Sequence, residues 1–167
     1  MCTAFVAAMG SDEFYMDLAL EEARMAATDG EVPTGCVIVD SDGVVLARAH
    51  NRTEGNVNAT AHAEMLALDA AFKARGNWRL TGCRLYVTKE PCPMCAGAIV
   101  LARPAVVIWG CSDPKRGGST AFGIFRHPGI NHHPELVAGI LEEPCTRILK
   151  DFFRARRKGT SIGQQFD

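Results

Sequence analysis

"RLYVTKEPCPMCAGAIVLARPAVVIWG", residues 84–110, decides the fold. "RLYVT" reads as a short buried strand, "PMCAGAIVLAR" as a helix and "AVVIWG" as a second strand. Helices alternating with strands here, after an initial hairpin, suggest a mixed sheet covered by helices on both faces. Upstream, "SDEFYMDLALEEARMAATDG" (11–30) reads as an amphipathic helix in which Phe14 and Leu18 share a face. Ser11 serves as its N-cap, Asp12 and Glu13 stand at the positive end of its dipole, and Gly30 ends it. "GCVIVD" and "VVLARAH", joined by "SDG", carry a hairpin signal, and a helix capped by Thr60 is expected over 60–75. From Cys111 to about Pro134 the pattern dissolves into Gly, Pro, Ser and His, a long loop of the kind that carries function. A strand at "LVAGIL" and a helix from Glu143 to Lys158 follow. The fold class predicted is α/β, a three-layer α/β/α arrangement around a mixed sheet of about five strands. One domain is expected over 11–158, with a flexible extension at 1–10 and a tail at 159–167.

Bulk composition agrees with that picture. At 167 residues the chain is long enough to bury one core, and 47% hydrophobic with 22% charged residues is a globular composition. A net charge of -1 excludes a protein basic all over, so any nucleic-acid contact must come from a local patch such as "KDFFRARRK". "MCTAFVAAMG" lacks a basic n-region and runs into "SDE", which makes a poor secretory signal, and no run is long enough to span a bilayer. Seven cysteines, two of them spaced as Cys-x-x-Cys, point to reduced thiols and a cytoplasmic location.

Chemistry is concentrated in two places, "NATAHAEML" (58–66) and "EPCPMC" (90–95). Pro93 is tolerated only in the first turn of a helix, which makes Cys92 the N-cap and sets Cys92 and Cys95 on one face at the positive end of the dipole. That environment favours thiolates, the form that binds metal. His62 and Glu64 pose the opposite problem, because two helical steps turn about 200° and send side chains to opposite faces. They can converge only at a helix tip. With Thr60 as cap, the acidic position of a capping box would be Ala63, so Glu64 misses it by one residue.

Two helix tips, one offering His62 and the other Cys92 and Cys95, can surround one zinc ion and leave its fourth tetrahedral position open, the arrangement of a catalytic site. An ion so held polarises a bound water towards hydroxide, and Glu64 beside it can take and return the proton. Cys-x-x-C alone also suits a redox pair, and a structural zinc site lacks a fourth ligand at regular spacing. The conjunction of H-x-E with P-C-x-x-C about thirty residues later is the signature of zinc-dependent deaminases.

"TAHAE" together with "EPCPMCAGA" resembles the cytidine deaminase superfamily, and "EVPTGCVIV", "HNRT", "NWRLTGCRLYVT", "DPKRGG", "HPGINH" and "DFFRARR" extend the resemblance to the bacterial tRNA adenosine deaminases. The resemblance implies a cytidine deaminase-like fold and one Zn²⁺ per subunit held by His62, Cys92 and Cys95, with Glu64 as proton shuttle. It implies that Asn51 hydrogen-bonds a flipped base, that Glu31, Val32 and Pro33 shape the pocket wall, and that Asp113 and Lys115 border the RNA backbone. It also implies that Phe153 and Arg156, with Phe152, Arg154 and Arg157, lie on a helix closing over the anticodon stem-loop of a tRNA, an arginine tRNA foremost. The implied reaction converts adenosine to inosine at the wobble position by zinc-hydroxide attack on C6 and release of ammonia, in a homodimer that needs no membrane. Three departures from the family pattern stand out: His133 where an arginine is usual, a segment between "DPKRGG" and "HPG" about one residue shorter, and Asn58-Ala59-Thr60 where Asp-Pro-Thr is common.

Other readings stay open on residues alone. "RARRK" also suits a solvated helix end, Phe152 and Phe153 also suit core, and "AGAIVLARPAVVIWG" suits either core or a subunit interface. The zinc motif also serves free-base or nucleoside deaminases acting on guanine, cytosine or cytidine. A non-catalytic RNA-binding zinc subunit ranks lowest, since a degenerate partner would lack the acid. Cys2, Cys36, Cys83, Cys111 and Cys145 read as small buried residues without a role in the chemistry.

Overall fold

The structure, a computed structural model, describes residues 10–159. The expected extension at 1–10 and tail at 159–167 lie outside it, apart from Gly10 and Gly159. The described elements run α1 (Asp12–Thr28), β1 (Gly35–Val39), β2 (Val45–His50), α2 (Ala63–Arg75), β3 (Arg84–Lys89), α3 (Pro93–Ala102), β4 (Val106–Cys111), β5 (Glu135–Ala138) and α4 (Glu142–Arg157). The strands form one five-stranded sheet in the order β2-β1-β3-β4-β5. β1 pairs antiparallel with β2 and β3, whereas β3–β4 and β4–β5 are parallel, so the sheet is mixed as expected.

Both faces are covered, and the period-two alternation of side chains assigns each residue to one of them. Val37, Val39, Tyr86 and Ile108 face α1 and α4, packing on Tyr15, Met16, Ala19, Leu20, Ala23, Cys145 and Ile148. Cys36, Ile38, Leu85, Val87, Val107 and Trp109 face α2 and α3, packing on Ala67, Leu68, Ala71, Ala96 and Ile99. The α/β/α layering is thus a direct result of strands that are apolar on both sides.

Element ends differ from expectation in places with a physical cause. Ser11 caps α1 by accepting the Phe14 N–H at 3.2 Å. The helix nevertheless buries Tyr15, Met16 and Ala19, while Phe14 is exposed. Thr60 does not cap α2. Its N–H and hydroxyl both bond to Asn58 Oδ1, which draws it into a turn, and the helix starts three residues later with His62 at the N-cap. The last strand stops at Ala138, because Gly139 (φ 87°) turns the chain and Leu141 (φ 50°) leads into α4. Among the described residues, no helix is long and apolar enough to cross a membrane.

Candidate metal centre and active-site cavity

The antiparallel hairpin brings the start of β1 and the end of β2 to the same sheet edge as the carboxyl ends of β3 and β4. α2 and α3 both begin at that edge. His62 and Cys92 are the N-caps of these two helices, in extended backbone, and neither side chain makes a cap hydrogen bond. Asn51, immediately after β2, takes over capping of α2: its Oδ1 accepts the Ala63 N–H at 2.8 Å. Both cap side chains are thereby left to point at each other across the helix tips.

His62 Nδ1 lies 3.7 Å from Cys92 Sγ and 3.5 Å from Cys95 Sγ, and the three ligand atoms lie within 4.8 Å of one another. A tetrahedral zinc ion with Zn–N near 2.0 Å and Zn–S near 2.3 Å sets nitrogen and sulfur ligands roughly 3.5 Å apart, so the trio fits the ion in both donor type and spacing. His62, Cys92 and Cys95 form a candidate zinc site, and no fourth protein ligand joins them among the described residues.

Electrostatics at the trio favour one deprotonated sulfur, that of Cys92. The Cys92 thiol is pushed down to about 3 by the hydrogen bond from Cys95, against burial and helped by His62, while Cys95 is pushed up by holding that proton and by burial. The hydrogen bond to Cys92 raises His62, partly offset by burial. Glu64, only 3% exposed, is raised above the ordinary carboxylate range by burial, against its backbone hydrogen bond and the His62 charge. A buried carboxyl raised in this way beside a metal site is suited to proton transfer.

A cavity of about 530 Å³ opens over this centre. His62, Glu64 and Cys92 line it, with Asn51, Glu31, Val32, Asp113, Lys115, Phe153 and Arg156 of the expected set. Pro33 and Cys95 are the exceptions: both are buried and neither lines the cavity. Glu31 accepts the N–H groups of Glu54 (3.2 Å) and Gly55 (2.8 Å), so it braces the loop after β2. Asp113 pairs with Lys89, and its Oδ1 accepts the N–H groups of Lys115 and Arg116 at 3.1 and 3.0 Å. Arg154 and Arg157 do not line this cavity but flank a shallow surface groove along α4 with Lys150. His133 is exposed, its Nδ1 3.0 Å from Phe125 O, and stands apart from the cavity lining.

The lining residues that escaped the sequence reading include Lys89, Glu90 and Arg116. Glu90 precedes the Pro-Cys pair and Arg116 sits inside "DPKRGG", so each belonged to a quoted motif without a spacing rule that marks its role. Cys36, Cys83, Cys111 and Cys145 are buried free thiols, and Cys2 lies outside the described residues.

Comparison with known proteins follows the same lines. Residues 9–111 match the family model of the cytidine and deoxycytidylate deaminase zinc-binding region, which sets the class as a zinc-binding deaminase. The tRNA-specific adenosine deaminase of Bacillus subtilis (strain 168) is 51% identical over 151 residues, covering 90% of this chain and 93% of that protein. A structure solved in a study of A-to-I editing by tRNA:A34 deaminases at the wobble position of transfer RNA superposes with a TM-score of 0.79 at 44% identity, covering 81% of this chain and 99% of the other. Guanine deaminase from Bacillus subtilis shares the fold with a TM-score of 0.60 at 29% identity, over 89% of this chain and 95% of the other. The chain belongs to the family of tRNA-specific adenosine deaminases.

Proposed function

We propose that the protein, through one domain spanning 11–158, is a zinc-dependent hydrolase that converts adenosine to inosine at the wobble position of a tRNA anticodon. The observation that carries this reading is the buried Glu64 beside the His62, Cys92 and Cys95 trio, at the floor of a cavity rimmed by Lys115, Arg116, Phe153 and Arg156. Zinc, when bound, supplies Lewis acidity and lowers the pKa of a water at its open position. The net change replaces the C6 amino group of adenine with oxygen, consuming water and releasing ammonia. Glu64 holds and moves the protons, first away from the water and then onto the base. Asn51, with Oδ1 occupied by the Ala63 N–H, offers its Nδ2 amide as a donor to the extruded base. Glu31 and Val32 form the wall on one side, with Pro33 behind them. Phe153 offers a stacking face for an unpaired base, and Lys115 and Arg156 stand by for phosphates.

The partners in this reading are the anticodon stem-loop of a tRNA, an arginine tRNA foremost, and a second copy of the chain, with one Zn²⁺ in each subunit of a cytoplasmic homodimer. The test is inosine formation by the zinc-loaded protein on an arginine-tRNA anticodon stem-loop with adenosine at the wobble position, run beside free adenosine and cytidine. Inosine in the stem-loop alone is expected. A free nucleoside deaminated beside an untouched stem-loop overturns the substrate. Likeness to the guanine deaminase gives one rival specific support, and free guanine belongs in the same assay.

A further inference from the structure

The segment after β4 wraps around one carboxylate. Glu90 is 2% exposed, and its Oε2 accepts the Asp113 N–H at 2.8 Å while its Oε1 accepts the N–H groups of Ser119 and Thr120 at 3.1 and 2.8 Å. The Thr120 hydroxyl lies 3.1 and 2.9 Å from the two oxygens. Between these ends, a Cβ on Gly117 would stand 2.3 Å from the carboxylate, so the backbone there approaches as closely as glycine alone permits. Gly118 is equally constrained, since its Cβ would meet that of Ala96 in α3 at 2.5 Å. The loop 113–120 is thus a collar closed on Glu90 from both ends.

Lys115 and Arg116 ride on this collar and line the cavity. Their main chain is tied back to it: their N–H groups bond to Asp113 Oδ1, and the N–H of Asp113 is held by Glu90. The geometry points to Glu90 as a positioning residue for substrate affinity, one that fixes where Lys115 and Arg116 meet a polyanionic substrate without touching that substrate itself. This rests on the RNA reading above. A glutamine cannot replace it, because one of its two terminal atoms is a donor and would face the N–H of Asp113 or those of Ser119 and Thr120.

The experiment compares wild type, Glu90→Gln, the pair Lys115→Gln and Arg116→Gln, and all three changes together, on the wobble-adenosine stem-loop, with zinc content measured throughout. Glu90→Gln is expected to keep zinc, hold kcat within about threefold and raise KM roughly tenfold, the pattern of lost uniform binding. Its affinity should also fall less steeply with salt, by roughly 1.4 in the log–log slope if two phosphate contacts are lost. In the background lacking both cations, Glu90→Gln should add almost nothing, because it acts through them. An equal KM increase with and without the cations overturns the assignment, as does a fall in kcat accompanied by zinc loss. Should Glu90→Gln fail to fold, Thr120→Val removes the hydroxyl's contacts to Glu90 and to Asp113 O while leaving the carboxylate in place, and must raise KM in the same direction. Wild-type inactivity on the stem-loop overturns the RNA reading and this role with it, whereas an active wild type and an unchanged KM in the variant overturn the Glu90 role alone.

Discussion

Glu64, Cys92 and Asp113 show how far single side chains can be read. In the proposed mechanism Glu64 moves protons while lying outside the candidate metal trio, so Glu64→Gln is expected to retain zinc and lose turnover by about 10²- to 10⁴-fold or more. Metal content by atomic absorption and single-turnover inosine formation check this, and full activity in the variant removes Glu64 from the mechanism. Cys92→Ser should instead lose metal and lower the melting temperature, because ligand binding is part of the folding free energy. Asp113 makes a pH prediction. Burial works to raise its carboxyl, but Lys89 and the N–H groups of Arg116 and Lys115 outweigh burial and hold it below the ordinary value. A depressed folded pKa stabilises above the unfolded value of about 3.9 and is lost as pH falls through the folded value. Wild type should therefore lose melting temperature more steeply than Asp113→Asn below about pH 4; parallel curves mean that the Lys89 pair contributes nothing.

At the scale of the element, α4 separates two adjacent aromatics that composition cannot tell apart. Phe152 is wholly buried, whereas Phe153 is 41% exposed and lines the cavity, the two rings meeting edge to face at 5.4 Å. Arg156 stacks over Phe152 at 5.7 Å while also reaching the cavity. Phe152→Ala should cost about 3–5 kcal/mol of stability. Phe153→Ala should cost less than about 1.5 kcal/mol of stability, the worth of an aromatic pair. It should nonetheless weaken stem-loop binding by about 1–3 kcal/mol, the worth of one base stacked on an aromatic. Denaturant melts paired with fluorescence anisotropy distinguish the two effects. α2 and α3 make the complementary point: each turns its first residues into ligands because something else satisfies its end, Asn51 for α2 and the missing N–H of Pro93 for α3.

For the whole molecule, the metal joins two helices that the sheet alone only brings near each other. Zinc removal by a chelator should lower the melting temperature, and added zinc should restore it, in a manner that depends on free metal concentration. α3 also bears on assembly. Ala96, Ile99, Val100 and Ala102 are buried core, which claims most of "AGAIVLAR", but Leu101 is 70% exposed on the same helix. If the proposed homodimer uses this face, sedimentation should report a dimer for wild type and a monomer for Leu101→Asp, with zinc content unchanged. A dimer undisturbed by that charge moves the interface elsewhere.

Local pattern determined a great deal: the two-sided apolar strands and the helix between β3 and β4 specify the layered fold, and H-x-E with P-C-x-x-C specifies the metal chemistry. These were legible because strand alternation, Pro at the first helical turn and ligand spacing act over a few residues. Tertiary structure decided what lies between distant segments. Asn51 rather than Thr60 satisfies the start of α2, because the end of β2 delivers an amide oxygen to Ala63 from twelve positions away. Phe152 and Phe153 divide between core and cavity only once α4 lies on the sheet. Glu90 becomes the centre of the 113–120 loop because the parallel pairing of β3 with β4 brings that loop back over the end of β3. A buried carboxylate is specified by the donors around it, and in a folded chain those come from residues that sequence order keeps apart.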